Sequence, residues 1–93
     1  MEQRQLSARV LGRVQGVGFR HFARAEAERL ALTGWVRNEY DGSVQVVAEG
    51  PPEKLAQLER ALHRGPSYAH VTHVETAWKE ASGTFSRFEV RRA

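Results

Sequence analysis

The hydrophobic period of this 93-residue chain changes at residue 15, and the change restricts it to architectures that mix strand and helix. Leu6, Ala8, Val10, Gly12 and Val14 alternate with Ser7, Arg9, Leu11 and Arg13, the period of two of a half-buried strand. Gln15-Gly16-Val17-Gly18 interrupts the run. From Phe19 the apolar positions are Phe19, Ala23, Ala27 and Leu30, flanked by Phe22 and Ala31, which make one face of a helix. Leu32-Thr33-Gly34 is the expected helix end, with Gly34 in the left-handed position after the last turn.

Trp35 to Asn38 and Val44 to Ala48 read as a second and third strand, antiparallel neighbours across Glu39-Tyr40-Asp41-Gly42-Ser43, whose Asp-Gly pair signals a hairpin. Gly50-Pro51-Pro52-Glu53 opens a second helix with the apolar stripe Leu55, Leu58, Leu62, and Gly65-Pro66 stops it. His70 to Trp78 reads as a fourth strand, and Phe88 with Val90 as a short last one. The order is βαββαβ plus a short terminal strand. It predicts an α+β, ferredoxin-like split βαβ fold, an antiparallel sheet with two helices on one face. Trp35, Trp78, Phe22 and Phe88 are expected core residues. Residues 1–93 are expected to form a single domain, since chains divide into separate cores only beyond about 250 residues.

Hydrophobic residues at 41% and charged residues at 27% exclude disorder, collagen-like repeats and coiled coil. The absence of cysteine excludes disulfides, thiolate metal sites and thiol nucleophiles. No cofactor and no metal are expected: His70 and His73, at i and i+3 on a strand, point to opposite faces without a carboxylate cluster. No apolar run approaches the roughly 18 residues of a membrane span, so the expected location is the cytoplasm, without membrane partners. A monomer is the default expectation. The net charge of +3 is too mild to imply nucleic-acid binding. Its placement says more, because Arg9, Arg13, Arg20, Arg24 and His21 lie between Gln3 and Ala25 with no acid among them, and an anion would be drawn there.

Gly12-Arg13-Val14-Gln15-Gly16-Val17-Gly18-Phe19-Arg20 turns a strand into a helix, which is where successive backbone N–H groups can converge on an oxyanion. Arg20 would add a planar fork of donors, although two glycines also suit a plain tight turn. A Walker loop would need Gly-Lys-Ser/Thr, and a dinucleotide fingerprint from Gly16 would need glycine where His21 stands. Asn38 offers a donor and an acceptor for a water but no general base, and Asn is also common at strand ends. The crossover is read here as making the first and third strands parallel, in which case the end of the second strand need not lie beside the loop.

Together the two segments resemble the acylphosphatase family over nearly the whole chain. Gly12-x-Val14-Gln15-Gly16-Val17-x-Phe19-Arg20 is similar to its phosphate-loop motif, and Gly34-x-Val36-x-Asn38-x-x-Asp41-Gly42-x-Val44 to its second motif. The resemblance implies metal-independent hydrolysis of the carboxyl-phosphate bond of small-molecule acylphosphates to a carboxylate and inorganic phosphate. It implies phosphate binding by Gln15, Gly16, Val17, Gly18, Phe19 and Arg20, and catalysis by Arg20 together with Asn38, which positions the water. Glu39 departs from the family pattern and puts a carboxylate near a phosphate site, and Gly18 stands where relatives carry a larger residue, which is expected to loosen the loop. Two other classes compete. An RNA-binding module shares the βαββαβ order, but residues 15–22 lie on the wrong element for its aromatic strand motif. A non-catalytic ferredoxin-like module would need the anion loop and Arg20 but not Asn38.

Overall fold

The computed structural model describes residues 2–92. The elements are β1 (Arg4–Arg13), α1 (Phe19–Arg29), β2 (Thr33–Asn38), β3 (Val44–Gly50), α2 (Pro52–Arg64), β4 (His70–Glu80) and β5 (Phe88–Arg91). They form one five-stranded sheet in the order β4-β1-β3-β2-β5. Both helices lie over one face, α1 against β2 and β5 and α2 against β1 and β4. This is the ferredoxin-like α+β fold that the order of elements predicts.

The period-two residues Leu6, Ala8 and Val10 of β1 and Val44, Val46 and Ala48 of β3 are fully buried. They meet Phe19, Ala23 and Ala27 from α1 and Leu55, Leu58 and Leu62 from α2 in one apolar cluster. Gly12 leaves the pattern and is exposed, because the pairing of β1 with β4 shifts register between Leu11 and Gly12. Of the four aromatics expected in the core, only Phe88 is buried. Phe22 and Trp35 are half-buried, and Trp78 is 38% exposed. Trp78 sits on the edge strand, and Trp35, between the inward-facing Gly34 and Val36, faces the side of the sheet that carries no helix.

Strand directions correct the sequence reading in two places. The first and third strands are antiparallel, with Arg4 opposite Gly50 and Val10 opposite Val44. The α1 crossover relates β1 to β2, and β3 inserts between them antiparallel to both. Consequently β1 and β2 run the same way and end at the same edge of the sheet. The second correction is β5, which pairs parallel with β2, Gly34 opposite Phe88 and Arg37 opposite Arg91, so the sheet is mixed. The chain leaves β4 at the end of the sheet where β2 begins, and the Gly34 amide donates to the Arg87 carbonyl at 2.9 Å as β5 enters alongside.

The end of α1 also differs from expectation. The helix stops at Arg29, and Ala31, not Gly34, takes the left-handed conformation at φ 57°. Amides of Leu30, Ala31 and Leu32 close the last turn on the carbonyls of Glu26, Glu28 and Ala27. Gly34 lies inside β2 at φ 137°, where a Cβ would stand 1.9 Å from the Val47 carbonyl oxygen. Glycine is required there by the close approach of β3 rather than by a helix cap.

Candidate active site

Because β1 and β2 end together, the turn from β1 into α1 and the last residue of β2 face one another. Gly16 and Gly18 have φ values of 75° and 78°, left-handed conformations that glycine adopts without strain. A Cβ at Gly18 would meet nothing within 4 Å, so the constraint at that position is conformational and not one of space. Gly18 is the N-cap of α1 and contributes no side-chain cap, while its carbonyl accepts the first helical hydrogen bond from Phe22 at 3.0 Å. Among the described residues, none of the backbone N–H groups from Gln15 to Arg20 finds a hydrogen-bond acceptor. Six successive donors without partners, beside the positive end of a helix dipole, can receive an anion.

The acid-free arginines separate in three dimensions. Arg9 is paired with Asp41 and, at 3.2 Å, with Glu75, and Arg24 is paired with Glu28 at 3.2 Å. Arg20 makes no ion pair or side-chain hydrogen bond among the described residues, and it lines both pockets at this end of the sheet. One pocket, of about 160 Å³, lies on the side of Gly16, Gly18 and Phe19. The other, of about 420 Å³, is lined by Gln15, Arg20, Asn38, Glu39, Tyr40 and Arg92. Asn38 lines both as well, and its side chain has no hydrogen-bond partner among the described residues.

The hairpin that carries Asn38 is fixed from several sides. Glu39 N donates to the Ser43 carbonyl at 2.9 Å, and Asp41 accepts from the Ser43 amide at 2.9 Å and hydroxyl at 2.6 Å. The Ser43 hydroxyl, and next the Arg9 guanidinium, hold the Asp41 carboxyl far below the usual carboxylate range. Gln15 reaches from the loop to the same hairpin: its Nε2 donates to the carbonyls of Glu39 at 2.8 Å and Ser43 at 2.9 Å.

Glu39 lines the larger pocket, yet its carboxylate accepts a 2.6 Å hydrogen bond from Arg37 Nε. Arg37 lies on the face of β2 opposite to that of Asn38. The Arg37 guanidinium is itself held 4.7 Å from the centre of the Trp35 ring, with Arg91 5.3 Å from the same ring. A neutralising cation therefore accompanies the carboxylate that departs from the family pattern. Two residues that sequence reasoning did not assign to the site also line the pocket: Tyr40, at the tip of the hairpin, and Arg92, which follows β5. The parallel pairing of β5 with β2 carries Arg92 to this end of the sheet, and nothing in the sequence signals that direction. Among the described residues no three His, Asp or Glu side chains converge as a metal site.

The arrangement is a ferredoxin-like α+β domain with a run of loop amides and an arginine that have no partner among the described residues, and an asparagine across the cleft. The family model for acylphosphatase matches residues 6–90. The acylphosphatase of Salinibacter ruber is 53% identical over 90 residues, which cover 97% of this chain and 95% of that protein. The acylphosphatase of Pseudomonas aeruginosa is 53% identical over 87 residues, 94% of each chain. The crystal structure of acylphosphatase from Bacillus subtilis superposes with a TM-score of 0.92 at 38% identity, covering 95% of this chain and 98% of that one. The chain belongs to the acylphosphatase family.

Proposed function

We propose that this protein is an acylphosphatase that hydrolyses the carboxyl-phosphate bond of small-molecule acylphosphates without a metal or cofactor. The observation that carries the reading is the run of unpartnered amides from Gln15 to Arg20 beside an unpaired Arg20, with Asn38 across the cleft. In this reading the phosphoryl oxygens lie on those amides and on the Arg20 guanidinium, which neutralise charge as the bond to the acyl oxygen lengthens. Asn38 holds a water in line with that bond through its carboxamide. The water oxygen bonds to phosphorus, the phosphorus–oxygen bond to the acyl group breaks, and the carboxylate leaves with the bonding pair. The water's proton passes to a phosphoryl oxygen, so no protein base is needed.

An acyl carboxylate is a good leaving group, so positioning and charge stabilisation are the main tasks left to the protein. The acyl group extends toward the mouth of the cleft, where Tyr40 and Arg92 stand. The same reading takes the chain as a single-domain, monomeric, cytoplasmic enzyme with no nucleic-acid or membrane partner. Sedimentation at the mass of one chain is the expected result for its assembly state.

The deciding experiment is steady-state hydrolysis of benzoyl phosphate in excess chelator, with the purified protein compared to Asn38→Ala. Turnover that survives chelation and falls on the order of 10²- to 10³-fold in the folded variant is expected. Full activity in Asn38→Ala would remove the water-positioning role, and an inactive, folded wild-type chain would remove the hydrolytic reading.

A further inference from the structure

Gln15 stands at the start of the glycine loop, and its side-chain amide reaches across to the β2–β3 hairpin. The Nε2 donates to the Glu39 carbonyl at 2.8 Å and to the Ser43 carbonyl at 2.9 Å, the two residues that close the β2–β3 hairpin. The primary amide nitrogen carries two N–H groups, one for each carbonyl oxygen, and adds no charge to the cleft. Among the described residues these are the only side-chain hydrogen bonds between residues 14–18 and the hairpin 39–43, and no backbone hydrogen bond joins the two segments. Arg20 follows the loop in the first turn of α1, and Asn38, the last residue of β2, immediately precedes Glu39. The bridge therefore joins the segment that leads to Arg20 to the segment that follows Asn38.

We infer that Gln15 is a positioning residue that sets the separation between the phosphoryl cradle with Arg20 and the water site at Asn38. The inference rests on the hydrolytic reading above and adds to it how the two halves of the site are kept in register. In-line attack needs the water a little over van der Waals contact from phosphorus, and a displacement of about 1 Å can cost about 10²-fold in rate. Phosphate binding uses only the loop amides and Arg20, so it does not sense where the hairpin lies. Loss of the bridge must then appear in kcat and not in phosphate affinity.

The test is Gln15→Met, which keeps the length and volume of the side chain and removes both donors. It is made in the wild-type and the Asn38→Ala backgrounds. For each protein, hydrolysis of benzoyl phosphate, inhibition by inorganic phosphate and thermal melting are measured. The expected result is a kcat lowered on the order of 10- to 10²-fold, phosphate inhibition within about 3-fold of wild type, and no further loss in the Asn38→Ala background.

A wild-type rate in Gln15→Met would mean that the side chain only fills space, and would overturn the inference. So would an equal loss in both backgrounds, or phosphate inhibition that weakens in step with kcat, since either makes Gln15 a part of the cradle itself. If Gln15→Met melts below the assay temperature, Gln15→Asn takes its place with the same readings, its amide one methylene short of the hairpin. Full activity in Asn38→Ala alone is a separate failure. It removes the water-positioning role on which the inference rests, whatever Gln15 does.

Discussion

Arg20 differs from its neighbours in what it is not paired with. Arg9, Arg24, Arg29, Arg37 and Arg91 all meet carboxylates, whereas Arg20 lines the cleft without one among the described residues. A phosphate arriving there competes with no internal partner, and a guanidinium can donate to two of its oxygens at once. Arg20→Ala is therefore expected to raise the inhibition constant for inorganic phosphate and to lower kcat/KM on the order of 10²-fold or more. Arg20→Lys restores charge but not the fork, and should recover only part of that loss. Equal phosphate inhibition in wild type and Arg20→Ala would show that the cradle amides alone hold the ion. The sequence singled out Arg20 through its place after the glycine loop, but its acid-free stretch also held Arg9 and Arg24, whose partners Asp41, Glu75 and Glu28 are acids brought to them only by folding.

At the level of elements, the period-two and helical patterns identified every strand and helix, because each element's apolar face follows from its own repeat. Beyond the β2–β3 hairpin, whose turn residues gave its antiparallel direction, the patterns could not supply direction and contact between elements. Gly34 shows the difference. Its place after an apolar helix reads as a cap, yet it is a strand residue against which the β3 backbone packs, with the Val47 carbonyl where a side chain would begin. Gly34→Ala should push β2 from β3 and destabilise the fold by roughly 1–3 kcal/mol. It should also reduce activity beyond what the lost stability explains, since Asn38 ends the same strand. Chemical denaturation and kinetics on the same preparation separate the two effects. A variant as stable as wild type would mean that β3 yields without cost.

Across the whole molecule, the sheet has two ends with different tasks. The cleft occupies one end, and at the other Glu49, 5% exposed, ties the connection between β4 and β5 to β3. Its carboxylate accepts from Gln5 Nε2 at 2.6 Å, from the Ser82 amide at 2.7 Å and hydroxyl at 2.9 Å, and from the Gly83 amide at 3.0 Å. Burial pushes this carboxyl upward, but the donors of Ser82, Gln5 and Gly83 outweigh burial and leave it below its ordinary value. A group lowered in the folded state stabilises fully above its unfolded pKa, and that contribution disappears as the pH falls through the folded value. Acidification should thus lower the melting temperature through Glu49 below the ordinary glutamate range. Glu49→Gln, which turns a donor toward the Gly83 amide, should cost about 1–3 kcal/mol at neutral pH and flatten that acid slope. An unchanged slope in Glu49→Gln would assign the acid sensitivity to other carboxylates, Asp41 first among them.

The sequence by itself determined the elements, the fold class and the two motifs, because periodicity and turn chemistry act over a few neighbouring residues. The tertiary structure decided which ends of those elements meet. The direction of strands not joined by a tight turn is set by how the intervening helices cross over the sheet, and it was the antiparallel insertion of β3 between β1 and β2 that brought Asn38 to the loop. The parallel entry of β5 brought Arg92 to the same cleft, the pairing of Arg9 and Arg24 with carboxylates took those two arginines out of it while Arg20 stayed without an ion pair among the described residues, and the Gln15 amide joined the loop to the hairpin. Each is a contact between residues distant in the chain, and no local pattern of side chains records it.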